Sequence, residues 1–291
     1  MIAAALMWSI AGVVSRHLEA ARRFEVTFWR SGFNALALVL LLVVIRGPGP
    51  LLATLRRGGR ALWLSGVCWA VMYTAFMMAL TLTTVANVLV TMSIGPLLTA
   101  LLSRAVLGHR LPQRTWAAIA LAGLGIAWMY GHEVSAGDPQ HLLGVLVALA
   151  VPVAAAINWT LLQHLRGTDD PPDMLAAVLL GALLSAAVTL PLALPLQASV
   201  RDISLLALLG VVQLAIPCLM AVAAARVLSG PEISLLGLLE VVFGVLWAWL
   251  GAGEAPSVHV LVGGGVVLVA LAMNELLGLA RRSMPAPTPA S

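Results

Sequence analysis

Apolar runs of about twenty residues, broken by short polar stretches, repeat along the whole chain. A bilayer core about 30 Å thick needs about 20 apolar residues per helix, so each run predicts one crossing. Cutting at charges, prolines and glycines gives segments at 1–18, 24–45, 61–81, 84–107 and 113–131. A second set follows at 141–163, 173–195, 203–227, 231–250 and 257–278. The pattern predicts an all-α membrane protein of ten transmembrane helices. The first segment, "MIAAALMWSIAGVV", is as short as a signal-peptide core, but no basic region leads it and no small-residue cleavage site follows Trp8. It is expected to stay as a short or N-terminally trimmed helix.

With an offset of 145 residues, "NVLVTMSIGPLLTALLSRAVLGHRLPQ" falls on "EISLLGLLEVVFGVLWAWLGAGEAPS". Asn87 then meets Glu232, Gly95 meets Glu240, Gly108 meets Gly253 and His109 meets Glu254, and one further residue brings Pro112 onto Pro256. Five helices per half is an odd number, so the second half enters the membrane from the other side. The expectation is two inverted five-helix repeats, residues 1–131 and 132–278, the arrangement of alternating-access carriers with a site near the midplane. The end, 279–291 with "MPAPTPAS", reads as a disordered tail.

Composition sharpens this picture. Hydrophobic residues make up 61% of the 291, charged ones only 10%, and mean hydropathy is +1.02, which leaves no stretch for a soluble domain. Cys68 and Cys218 both lie in apolar runs, against a disulfide framework or a cysteine metal site. The sixteen basic residues are all arginine. With the N-terminus inside, Arg46, Arg56, Arg57, Arg60, Arg104, Arg110, Arg114, Arg166, Arg226, Arg281 and Arg282 fall in cytoplasmic loops, against Arg16, Arg22, Arg23 and Arg201 opposite. The positive-inside rule therefore predicts both termini in the cytoplasm. The high pI reflects this topology and not a nucleic-acid partner. No phosphate loop, nucleophile elbow, zincin helix or dinucleotide fingerprint is present. His17, His109, His132, His141, His164 and His259 lack metal-ligand spacing, and the acidic "TDDPPD" at 168–173 reads as a solvated loop. The expectation is a protein without cofactor, metal or enzymatic reaction.

The stretches "MWSIAGVVSR", "FWRSGFNALAL" with Arg30, "SIGPLLTALLSRAVLGHRL" and "LLEVVFGVLWAWLGAGE", in that order and spacing, resemble the drug/metabolite transporter superfamily in its ten-helix form of two EamA-type repeats. The resemblance spans the whole chain. The aromatic-rich helices look most like the aromatic amino-acid exporters of bacterial inner membranes. It implies a multi-pass inner-membrane exporter whose first, third, fourth, sixth, eighth and ninth helices line a cavity, with the fifth and tenth as braces. The chain departs from the family at Val241, where a proline often follows the ninth-helix glutamate, and at His109, where a glutamate is common.

Glu240 lies midway along the ninth segment, in "ISLLGLLEVVFGVLWAWL". A charge at that depth costs about 2.5 to 3.5 kcal/mol on insertion scales, so it is expected to face protein or water. Three roles fit it: binding a substrate ammonium, carrying a coupling proton, or bonding a neighbouring helix as a structural acid. Residues 232, 236 and 240 share a helix face, matched by Asn87, Thr91 and Gly95 in the repeat. Arg30, near the outer end of the second segment, fits a substrate carboxylate, a snorkelling position or a tie between helices. In "CWAVMYTAFMMAL", Trp69, Tyr73 and Met77 recur at i, i+4 and i+8, and Trp8, Asn158 and Trp159 occupy related positions. Such residues either wall a cavity for flat apolar groups or simply pack helices. Gly95 with Pro96, then Pro217, mark the expected helix breaks. The predicted substrate-binding set is Trp8, Tyr73, Met77, Asn87, Thr91, Asn158, Trp159 and Glu240. The predicted cargo is amino acids, aromatic and hydrophobic ones first, with nucleosides, other metabolites or cationic drugs as the alternative. One chain holds both halves of the site, so a monomer can suffice.

Overall fold

The computed structural model describes residues 1–108, 139–166 and 174–282, with scattered positions between 113 and 128. His109, Arg110, Pro112, His132, the 168–173 loop and the tail from 283 lie outside the described residues. Helices fill nearly all of the rest, and no strand occurs among the described residues. Among the described residues, seven helices are long and apolar enough to cross a membrane. Shorter apolar helices, Ile2–Ser15, Trp116–Gly125 and Val258–Asn274, take the first, fifth and tenth places. This is the all-α, two-repeat membrane fold that the hydropathy pattern predicts.

In chain order the helices are α1 (Ile2–Trp8), α2 (Ile10–Ser15), α3 (Arg23–Arg46), α4 (Pro48–Arg57), α5 (Arg60–Leu82), α6 (Val85–Met92) and α7 (Gly95–Leu107). The second half holds α8 (Pro139–Arg166), α9 (Leu175–Ala193), α10 (Val200–Leu208), a π-helical turn (Leu209–Ala215), α11 (Ile216–Ala224), α12 (Gly230–Ala252) and α13 (Val258–Arg282). Among the described residues, three crossings are interrupted. The first breaks at Ser9, the fourth at Ser93 and Ile94, and the eighth widens into the π turn. Pro96 lies in the first turn of α7, where its missing N–H has no intrahelical partner to lose. Pro217 likewise opens α11.

Caps expose the repeat at single-residue resolution. Thr84 caps α6 by accepting the Asn87 N–H, and Ser229, 145 positions on, caps α12 by accepting the Glu232 N–H. The same offset carries Gly108, φ +72, onto Gly253, φ +67. Both are left-handed C-terminal stops, a conformation that glycine adopts without steric cost.

The halves interleave. From the first half, α5 packs along α8, and α3 and α5 both pack on α9; from the second, α12 lies against α1, α2, α6 and α7. Buried hydroxyls reinforce the α3–α5–α9 contact: Ser185 bonds Ser31 at 2.9 Å and Thr74 at 2.8 Å. Gly66 and Gly181 let α5 and α9 approach closely, as small residues do between helices in lipid. A Cβ on Gly181 would come within 2.3 Å of the Trp69 Cβ and 2.9 Å of the Gly66 carbonyl oxygen. Gly181→Ala is therefore expected to destabilise the protein by about 1–3 kcal/mol. Gly32→Ala, where nothing lies within 4 Å, should leave thermal unfolding in detergent unchanged. Equal melting of both variants would refute the close crossing.

One element lies where the sequence shows only a basic loop. The short helix α4 turns Leu51 and Leu55, one helical step apart, onto the core while Arg56 stays exposed. The last helix also continues to Arg282, past the 278 boundary drawn from hydropathy.

Candidate functional site

A central cavity lies between the halves, enclosing about 890 Å³ of atom-free space that includes its opening. Four residues of α5, Trp69, Met72, Tyr73 and Phe76, form its aromatic and thioether wall. Trp159 and Pro152 of α8 face them, with Trp159 edge-on to Trp69 at 5.7 Å and Trp69 5.6 Å from Tyr73. Leu89, Met92, Gly95 and Pro96 line it from the broken fourth crossing, Trp8 from the first. From α12 come Ile233, Ser234, Gly237, Leu238, Glu240 and Val241.

The polar groups of this wall are few. Arg30 is only 1% exposed. Its Nε and one Nη donate to the Gln213 side-chain oxygen at 3.2 and 2.8 Å, and the other Nη reaches the Tyr73 carbonyl at 3.5 Å. The guanidinium also lies 5.5 Å from the centre of the Phe76 ring. Gln213 belongs to the π turn and donates its own amide to the Trp8 carbonyl at 3.1 Å. The π turn is where α3 and the eighth crossing touch: a Cβ on Gly210 would stand 2.7 Å from the Arg30 carbonyl oxygen. Glu240 is half-buried. It makes no hydrogen bond and no ion pair among the described residues, and the charged group that it faces is Arg30.

The two ends of the bundle differ. At one end Arg16 bonds Glu254 at 2.6 Å and the carbonyls of Leu80 and Thr83 at 2.7 and 2.9 Å, while Glu254 accepts the Val85 N–H at 2.5 Å. Beside this latch, Asp202 accepts the backbone N–H groups of Glu19, Ala20 and Ala21 at 2.8 to 3.0 Å. Glu25 similarly takes those of Gln197 and Ala198, both at 2.7 Å, and Arg201 pairs with Glu19. At the other end the cavity lining reaches Met1 and Ile233, near the starts of α1 and α12.

Of the residues singled out in the sequence, Trp8, Tyr73, Trp159, Glu240, Gly95 and Pro96 come together on this wall. Met77, Asn87, Thr91, Asn158 and Pro217 do not. A series at i, i+4, i+8 drifts about 40° per step, which turns Met77 away from the Trp69, Met72, Tyr73 and Phe76 face and fully buries it. Asn87 serves the start of α6, donating to the Thr83 hydroxyl at 3.0 Å, and the Thr91 hydroxyl bonds the Asn87 carbonyl at 2.6 Å. Asn158 accepts from Ser65 at 2.6 Å and so ties α8 to α5. Glu232 bonds the Ser229 backbone and hydroxyl as part of the α12 cap, so the expected stripe from 232 to 240 leaves only Glu240 in the cavity. The pairing of Arg30 with Gln213 spans 183 positions and has no local signature in the sequence.

Interleaved helical halves around a largely apolar central cavity, with a polar latch at one end of the bundle, define a membrane carrier. The chain belongs to the EamA-like transporter family, whose model matches residues 1–131 and again 142–275. It is thus a multi-pass membrane transporter of small molecules. A solved chain described only as "Crystal structure of protein" has the same fold, with a TM-score of 0.69 at 19% identity over 95% of this chain and 96% of that one. No curated protein matches the chain.

Proposed function

We propose that this transporter exports amino acids, with aromatic and other hydrophobic side chains preferred, by alternating access to the central cavity. One observation carries the reading: a carboxylate with no hydrogen-bond or ion-pair partner among the described residues, Glu240, stands in a cavity walled by Trp8, Trp69, Tyr73, Phe76 and Trp159. The carboxylate suits a substrate ammonium, and the flat, adaptable wall suits a large apolar side chain. By the arginine asymmetry, both termini face the cytoplasm of a bacterial inner membrane and the latch faces outward. In that orientation the cavity reaches toward the cytoplasm, the loading side of an exporter. The functional halves divide at residues 131 and 132, and a single chain suffices for transport.

The competing cargo is nucleosides, other metabolites or cationic drugs. Uptake of labelled phenylalanine into proteoliposomes, challenged with unlabelled amino acids, nucleosides and organic cations, decides between them. Saturable uptake blocked by amino acids supports the proposal; uptake matching protein-free vesicles, with or without an imposed proton gradient, rejects it.

The wall carries its own prediction. An aromatic pair contributes about 0.5–1.5 kcal/mol beyond area burial. Tyr73→Ala and Trp159→Ala should therefore lower apparent affinity for phenylalanine relative to leucine by about 2- to 12-fold. Unchanged competition profiles would remove both residues from the binding wall.

A further inference from the structure

Arg30 is a buried cation whose hydrogen-bond partners among the described residues are all neutral. Its acceptors are an amide oxygen and a backbone carbonyl, its stacking neighbour is a phenyl ring, and no carboxylate among the described residues lies within ion-pair distance. Two of its five N–H groups have no acceptor among the described residues. A buried charge left uncompensated in this way is costly. Yet the arrangement is built, not incidental. Gln213 is held by the Trp8 carbonyl and displayed by a π turn, a feature that concentrates at functional sites. Glu240, on the same cavity wall, is the acid that Arg30 faces, and it has no hydrogen-bond or ion-pair partner among the described residues. One cavity thus presents a guanidinium and a carboxyl group that no hydrogen bond or ion pair joins among the described residues.

We infer that Arg30 is a specificity-determining residue: its free N–H groups receive the substrate carboxylate while Glu240 receives the ammonium. The cavity then selects zwitterions over amines and over simple carboxylic acids of the same shape. The inference rests on the amino-acid reading and adds to it the anchor for the carboxylate, a role that neither Asn87 nor Asn158 can fill from outside the wall. A planar guanidinium already oriented by Gln213 suits a carboxylate geometrically.

The test is ligand-induced thermal stabilisation of the purified protein by phenylalanine, phenethylamine, which lacks the carboxylate, and hydrocinnamate, which lacks the ammonium. Glycine betaine serves as a zwitterion that is not a primary amino acid. Wild type should bind phenylalanine at least about tenfold more tightly than either truncated analogue. Arg30→Gln should lose that advantage over phenethylamine while keeping the advantage over hydrocinnamate, and Arg30→Lys should restore part of it. Gln213→Glu gives Arg30 a fixed counter-ion of nearly unchanged shape, so the result does not depend on Arg30→Gln folding. It should also weaken phenylalanine at least about tenfold and spare phenethylamine. Binding of betaine but not phenylalanine would fail the amino-acid reading and leave zwitterion selection standing. Equal binding of phenylalanine and phenethylamine by wild type, equal weakening of both in the variants, or no binding of any zwitterion would overturn the inference.

Discussion

Glu240→Gln is expected to cut phenylalanine transport efficiency in proteoliposomes by about 10- to 100-fold while leaving expression and thermal unfolding near wild type. The magnitude follows from a hydrogen bond to a charged group, about 1.5–3 kcal/mol. Preserved folding follows from the structure, because Glu240 has no hydrogen bond or ion pair among the described residues to lose. The isosteric amide keeps the volume of the wall and removes only the charge. Three roles were open to this residue on sequence grounds, and the variant separates them. A structural acid would show its loss in stability. A proton carrier would lose uphill transport yet keep downhill exchange. An ammonium ligand loses both in proportion to substrate binding. Efficiency within twofold of wild type would end the ammonium assignment.

The second large effect is expected at the latch. Arg16 alone ties four elements, reaching the carbonyls that end α5, the Glu254 loop after α12 and, through Glu254, the first N–H of α6. A partly exposed ion pair contributes only about 0.2–1 kcal/mol. Two donations from a charged guanidinium to backbone carbonyls add more, so Arg16→Ala should shift the closed-to-open balance at this end by about tenfold or more. The readout is a single cysteine introduced as Met92→Cys on the half-buried cavity wall, with Cys68 and Cys218 replaced by serine. A membrane-impermeant thiol reagent applied on the latch side should label it about tenfold faster in Arg16→Ala, with slower net transport. Glu254→Gln should have the smaller effect, since Arg16 keeps both carbonyl contacts. Unchanged labelling in Arg16→Ala would show that the latch does not govern access.

Much of this was written locally and could be read locally. Crossings appear as runs of apolar residues, and the repeat appears in the offset linking Thr84 to Ser229 and Gly108 to Gly253, because caps are short-range chemistry. Trp8, Tyr73, Trp159 and Glu240 were legible for the same reason, each being a residue whose type is unusual for its depth. What escaped depends on rotation and on distant partners. An i+8 step from Trp69 looks aligned in one dimension and so puts Met77 on the wall, although the helix has turned away by then. Asn87 and Glu232 resembled a polar stripe, but both are third residues of capped helices and belong to their own N-termini; the Ser229-x-x-Glu232 spacing carried that signal. The Arg30–Gln213 and Arg16–Glu254 contacts join residues 183 and 238 positions apart, and the first also needs a π turn that no propensity announces.

The central claim is that the cavity between the halves is the transport site. Gly237 lines that cavity, and a Cβ built there meets nothing within 4 Å, so Gly237→Phe places a ring in the binding space without touching the fold. The decisive measurement is the initial rate of labelled phenylalanine uptake by this variant in proteoliposomes, with melting temperature taken on the same preparation. Uptake at the level of protein-free vesicles with wild-type melting is the predicted result; wild-type uptake through a filled cavity would contradict the account.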